Sequence, residues 1–225
     1  MFICFVGIDG SGKTVQAERL AKRLEESGMP CAYTWCRYSP RLLMPVIWIV
    51  RKLIRRRKGG SEYTGFTTSK RGILRKPGLG WLWLNVGLLE YLVQVTLTVR
   101  TRLRGGRNLV CDRYIYDMFA DMAISLDRSE DKLLELARHP LIRLFPIPDK
   151  VFFIDVPPDI AFARKSDPNV MGRQYLADRA SIYSYLSDEL GFTRVDGTKS
   201  IEEIADIILG EAIQRFKASA REDKK

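Results

Sequence analysis

The sequence predicts an α/β fold: a five-stranded parallel sheet with helices on both faces. Three observations carry that prediction. Short apolar runs of strand length recur along the 225 residues. Stretches with helical spacing separate them, and a glycine-rich turn joins the first strand to the first helix. Residues 2–6 (FICFV) form the first apolar run. In the segment that follows, Ala17, Leu20, Ala21 and Leu24 recur at helical spacing until Ser27-Gly28 ends the pattern. Residues 31–36 read as the second strand, and 42–58 as a helix with Pro45 in its first turn. Residues 59–78 are irregular. A long apolar helix spans 79–103, and because it falls between two strands of one sheet it reads as a buried central helix, although its length and low charge approach those of a membrane span. Strand 108–111, helices 114–126 and 131–138, and strand 151–155 follow. Pro157-Pro158 opens the next helix. Helix 173–190, strand 192–195 and helix 201–216 complete the pattern, and residues 218–225 are expected to fray. Residues 1–225 thus read as one domain, with 37–80 a basic insertion.

Residues 7–14, GIDGSGKT, fit GxxxxGK[ST] at every fixed position, between a strand and a helix. Gly7, Gly10 and Gly12 permit a curled backbone whose N–H groups point inward, and Ser11 lies within the curl. The helix beginning near Lys13 adds its positive end. Lys13 is expected to bridge the β- and γ-phosphates of a bound triphosphate, and Thr14 to offer its hydroxyl to Mg²⁺.

Charge and cysteine content narrow the function classes. The net charge is +10, yet residues 37–76 hold twelve basic residues against one acid, Glu62. That segment therefore carries +11 and the remainder −1. Four readings of it stand: a solvated face, a field that draws in phosphorylated substrate, an anionic membrane contact through 41–58 where apolar and basic residues adjoin, and, last in rank, nucleic-acid binding. Cys4, Cys31, Cys36 and Cys111 show no metal-ligand spacing and lie in or beside apolar runs, as buried free thiols of a reducing cytoplasm do. A single histidine, His139, argues against a histidine metal site or triad. The first apolar run leads straight into the glycine loop, so it reads as a strand rather than a leader.

Residues 108–112 form an apolar strand ending in Asp112, followed by Arg113-Tyr114. Strand ends of such sheets carry ligands. Asp112 there can hold a Mg²⁺-bound water, and Arg113 can clamp a second phosphate. With GIDGSGKT, Asp112-Arg113-Tyr114 and Phe153-Ile154-Asp155-Val156-Pro157-Pro158 in this order, the chain resembles the thymidylate kinase family of P-loop nucleoside monophosphate kinases. The resemblance implies a sheet order of 2-3-1-4-5, often a homodimer, and phosphoryl transfer from ATP to a nucleoside monophosphate with Mg²⁺. It puts the acceptor sugar on Asp9 and the acceptor phosphate on Arg113, beside Tyr114. It makes 37–80 the acceptor-side insertion and packs adenine near Gly197 and Thr198. Some family members carry an arginine inside the phosphate loop; here that position is Gly10. Positive charge for the transferring group is therefore expected from a short lid, 164–173, with Arg164 and Arg173 foremost and Lys165 third.

Elsewhere the family pattern breaks. No basic residue stands at 88–91, where the family's base-reading arginine is expected, and the polar signature after Tyr114 is replaced by IYDMFADM. Trp35-Cys36-Arg37-Tyr38-Ser39-Pro40 replaces an Arg-Glu-Pro-Gly segment, with Arg37 a substitute for its arginine. Three functions follow in order: a dTMP kinase, a kinase of the same fold for another phosphorylated acceptor at a membrane or free, and a nucleic-acid-associated NTPase.

Overall fold

A computed structural model describes residues 1–41, 44, 45, 48, 52, 78–126, 130–164 and 172–222. Met44, Pro45, Trp48 and Lys52 are helical, within the expected helix 42–58. The rest of that helix, nearly all of the basic insertion, the lid residues 165–171 with Lys165, and the chain end 223–225 lie outside the described residues. The described chain divides into two compact units. One comprises Met1–Arg37, Thr98–Asp117 and Pro146–Lys225, the other Tyr38–Leu97 and Met118–Phe145.

The first unit holds the sheet. Strands β1 (Phe2–Val6), β2 (Cys31–Trp35), β3 (Asn108–Asp112), β4 (Lys150–Asp155) and β5 (Thr193–Asp196) are all parallel, in the order β2-β3-β1-β4-β5. The central strand β1 is buried along its whole length, as expected of a continuous apolar run with neighbours on both sides. Helices cover both faces. Lys150 lies over the ring of Phe152 and reaches Glu211 of α8 (Ile201–Glu222), while on the opposite face Phe153 packs against Tyr183 of α7 (Arg173–Leu190). Helix α1 (Lys13–Glu26) is tied to α8 by Arg23, which donates to Asp206 at 2.6 Å and Glu202 at 3.1 Å. Helix α8 continues to Glu222, beyond the expected end at Phe216, over residues such as Ala218, Ala220 and Arg221 that favour helix. All four cysteines are buried and free, and the sulfurs of Cys36 and Cys111 are 3.1 Å apart.

The second unit is built on α2 (Leu79–Val95); a π-helical turn, Thr96–Arg100, follows it in sequence, and α3 (Thr101–Arg104) belongs to the first unit. The expectation of a buried central helix holds for one face. Leu84, Leu88, Tyr91 and Val95 are buried, whereas Leu82, Leu89, Val93 and Leu97 form an exposed apolar row. Helices α4 (Ile115–Leu126) and α5 (Glu130–Ala137) follow β3, and α6 (Pro158–Ala163) follows β4 with its first proline where the sequence places it.

Gly197, just past β5, is wedged against β4. A Cβ there would lie 2.3 Å from Val156 Cγ2 and 2.8 Å from Ile154 Cγ2. Gly197→Ala should therefore lower stability by about 1–3 kcal/mol, read as a lower urea midpoint at unchanged slope.

Candidate active site

The loop between β1 and α1 is shaped by three glycines with positive φ, Gly7 (145°), Gly10 (90°) and Gly12 (87°). Two are also confined sterically. A Cβ on Gly7 would stand 2.7 Å from the Ile154 carbonyl oxygen, and one on Gly10 would stand 2.4 Å from that of Ala161. The loop is thus pressed between β4 and α6 with no room for a side chain at either position. Gly12 precedes α1 in a left-handed conformation and no side chain caps the helix. The first amides of α1 are left to a ligand, which is the arrangement an anion needs. The Ser11 hydroxyl is buried without a hydrogen-bond partner.

Lys13 is 4% exposed and donates to the Ile8 carbonyl at 3.0 Å, with Asp9 at 3.6 Å. Burial, and then the nearby Arg113 guanidinium, lower its pKa to about 8 against the pull of Asp9, Asp117 and Asp112. Holding this ammonium charged costs about 3 kcal/mol relative to water.

Asp112 ends β3 opposite Phe5 and Trp35. Its Oδ2 accepts from the Thr14 hydroxyl at 2.5 Å, while its buried Oδ1 has no hydrogen-bond partner. A hydroxyl and an unsatisfied carboxylate oxygen beside the phosphate loop are the oxygen donors Mg²⁺ prefers, so the two residues named from the sequence fit that ion. Among the described residues no group of three or more His, Cys, Asp or Glu could hold a metal. The remaining ligands would be phosphate oxygens and water.

Arg113 follows at once. Among the described residues it is the only non-glycine with positive φ, 68°. Its amide still donates to the Phe5 carbonyl at 3.0 Å, so the sheet hydrogen bonding runs on while the chain turns toward α4. The left-handed conformation costs a non-glycine residue about 1–2 kcal/mol. It brings the guanidinium to two carboxylates: Nη2 to Asp9 and Nη1 to Asp117. Burial lowers the pKa of Arg113, but Asp117 and Asp9 outweigh it and the net shift is upward. Asp9 therefore bridges Lys13 and Arg113, the cations expected at the donor and acceptor phosphates. Beyond β2 the Cys36 amide donates to the Asp112 carbonyl at 2.9 Å, which delivers Arg37 to the same sheet edge.

The other expected residues are placed as follows. Arg164 closes α6 and donates through both Nη atoms to the Gly197 carbonyl, 3.1 Å each, joining two residues expected on the donor side. Thr198 donates from its amide and hydroxyl to Asp196, at 2.9 and 2.6 Å. Beside it the ends of β4 and β5 frame an open cavity of about 520 Å³. Arg173 begins α7, pairs with Asp159 at 3.6 Å, lies over the Phe162 ring and is largely exposed. Tyr114 corrects the sequence reading. It is 1% exposed, packed edge-on against Phe2 with its hydroxyl donating to the Pro146 carbonyl, so it belongs to the core and not to an acceptor surface. In the second unit Glu90, within the stretch expected to read the base, is buried and accepts from the Tyr38 hydroxyl at 2.9 Å and from the Arg41 amide.

The sequence reading passed over Asp117, Arg179 and Tyr183, all buried beside Arg113. Their spacing was the available signal. Asp117 stands four residues after Arg113, and Tyr175, Arg179 and Tyr183 recur every fourth residue, which sets polar groups on one helix face.

A parallel sheet ordered 2-3-1-4-5, a phosphate loop after its central strand and an acid–arginine pair at the end of the adjacent strand define a P-loop kinase of the nucleoside monophosphate class. No family model matches the chain, but curated proteins do over nearly its full length. It is 28% identical over 212 residues to a probable thymidylate kinase of Methanocaldococcus jannaschii, covering 93% of this chain and 94% of that one. It is 24% identical to the thymidylate kinase of Fervidobacterium nodosum (91% and 94% covered) and 26% identical to that of Leptospira borgpetersenii (96% and 95%). These likenesses run over nearly the whole sequence, and each is to a protein named as a thymidylate kinase.

Two outcomes are expected. Asp112→Asn should lower kcat/KM about 100-fold and raise the Mg²⁺ concentration needed for half-maximal rate, read by steady-state kinetics across a Mg²⁺ titration. A bound polyphosphate favours the charged form of Lys13 and raises its pKa from about 8. ATP binding should therefore take up a proton above pH 8 and weaken as the pH rises further, measured by calorimetry at pH 8.5 in buffers of different ionisation enthalpy.

Proposed function

We propose that the protein transfers the γ-phosphoryl group of ATP to dTMP. The observation that carries this reading is the Asp9 carboxylate set between Lys13 and Arg113. The place where one carboxylate now neutralises two buried cations is the place where two phosphate groups would meet. Asp9 then yields Arg113 to the acceptor phosphate and turns to the acceptor sugar. The loop amides and Lys13 hold the donor phosphates. Thr14 and Asp112 would hold Mg²⁺, which supplies positive charge to the phosphate oxygens. The acceptor phosphate oxygen is already anionic near neutral pH, so no strong general base is needed, and positioning and charge supply most of the rate. The double contact of Arg164 with Gly197 supports a role for Arg164 on the nucleotide-base side, which leaves Arg173 the foremost described candidate to neutralise charge on the transferring group. The exposed row Leu82, Leu89, Val93 and Leu97 is the kind of surface that the implied homodimer would cover.

A coupled assay of ADP release with dTMP, dUMP, UMP, CMP, GMP and AMP tests the assignment. We expect kcat/KM for dTMP to exceed that for the other bases at least about tenfold. Equal turnover with several monophosphates, or with no acceptor added, would remove it.

A further inference from the structure

Arg113 is held by residues that have no part in the chemistry described above. Asp117, 1% exposed, accepts at Oδ2 from Arg113 Nη1 and at Oδ1 from the Tyr183 hydroxyl. Arg179, also 1% exposed, reaches the same carboxylate at 3.4 Å and donates to the Tyr183 hydroxyl at 2.6 Å. Its other Nη donates to the Tyr175 hydroxyl at 2.9 Å, and its guanidinium carbon lies 5.4 Å from the centre of the Tyr183 ring. Tyr183 is fully buried against Phe153 of β4. These groups form a chain of charge-assisted hydrogen bonds that runs from one face of α7 to a single guanidinium at the sheet edge.

We propose that Asp117, clamped by Tyr183 and Arg179, is the positioning residue that aims Arg113 at the acceptor phosphate. The proposal rests on the assignment of Arg113 to the acceptor. Three features single this role out from a general contribution to stability. The clamp ends on the one non-glycine residue held in a left-handed conformation among those described, a geometry that persists only where its surroundings fix it. The two Nη atoms are claimed by different carboxylates: Asp9, which must let go when an anion arrives, and Asp117, which need not. With Asp117 in place Arg113 keeps its aim through that exchange. A hydrogen bond from Tyr183 and an ion pair with Arg179, both from α7, hold the Asp117 carboxylate itself, so it does not follow the guanidinium.

The test compares Asp117→Asn, Tyr183→Phe and the double variant with the wild type. The readouts are KM and kcat for the best acceptor, acceptor binding by calorimetry, ATP affinity with a fluorescent ATP analogue, and thermal melting. The expected result for Asp117→Asn is roughly a tenfold rise in acceptor KM with a fall in kcat and unchanged ATP affinity. Tyr183→Phe should give a smaller shift of the same kind, and the double variant should be no worse than Asp117→Asn, because both act through one carboxylate. Asp117→Glu should restore part of the loss. If Asp117→Asn fails to fold, Tyr183→Phe, which removes one hydroxyl, decides alone. Wild-type acceptor kinetics in the folded variants, or a loss of ATP affinity as large as the loss of acceptor affinity, would overturn the positioning role and leave the kinase assignment standing. A wild type that neither binds nor phosphorylates any monophosphate would instead remove the assignment, and the positioning role with it.

Discussion

Three buried cations, Lys13, Arg113 and Arg179, share one edge of the sheet with three carboxylates, Asp9, Asp112 and Asp117. Most of what is distinctive in the structure follows from keeping them in balance. Each ion loses several kcal/mol of hydration on burial, and the mutual attractions offset this only where geometry is good and every partner is present. Burial alone would push the Asp117 carboxyl up, yet Arg113, Arg179 and Lys13, with the Tyr183 hydroxyl, hold it below the usual range. Stripping out one member would strand its partners, typically at a cost of about 3–5 kcal/mol. The charges of the site are therefore already spoken for, and under the proposed function a nucleotide would bind by exchange of partners.

The sheet makes that balance possible. Parallel pairing of β1 with β3 sets Phe5 beside Asp112, and their ends fall together. The turn after β1 supplies Asp9 and Lys13, and the turn after β3 supplies Arg113, so residues about a hundred positions apart meet without long side chains having to search for each other. Phe153, from the neighbouring β4, presents an aromatic face to Tyr183 and so carries α7 into the same cluster. Register fixes the site more firmly than any single contact within it.

Much of this was legible in the residues. The loop at 7–14 could be read because its positive-φ positions demand glycine between a strand and a helix, and the strand ending in Asp112 could be read from its continuous apolar run. Strand count and helix positions followed from hydrophobic spacing. The misses share a physical cause. Tyr114 adjoins Asp112 and Arg113 in sequence, but the turn at Arg113 directs its ring into the core, where the Pro146 carbonyl satisfies its hydroxyl. Position along the chain could not show that. Asp117 lies on α4 and Arg179 and Tyr183 lie together on α7, so helical spacing shows each polar face but only tertiary packing brings the two faces together. Helix α2 is apolar on nearly every side, and such a pattern does not say which face will be covered.

The close fit of Gly10 beneath the Ala161 carbonyl has a bearing on the chain's possible histories. In some members of the family that the sequence resembles, an arginine stands at this place inside the phosphate loop, a route by which a cation would reach the phosphates. Here that route is barred by backbone, since even a methyl group would collide with the helix above. A sequence drifting toward the alternative would first have to lift α6 away from the loop, and in doing so would disturb Arg164 and the Gly197 carbonyl it grips. An arginine at this position is thus separated from the present packing by a barrier that a single substitution does not cross.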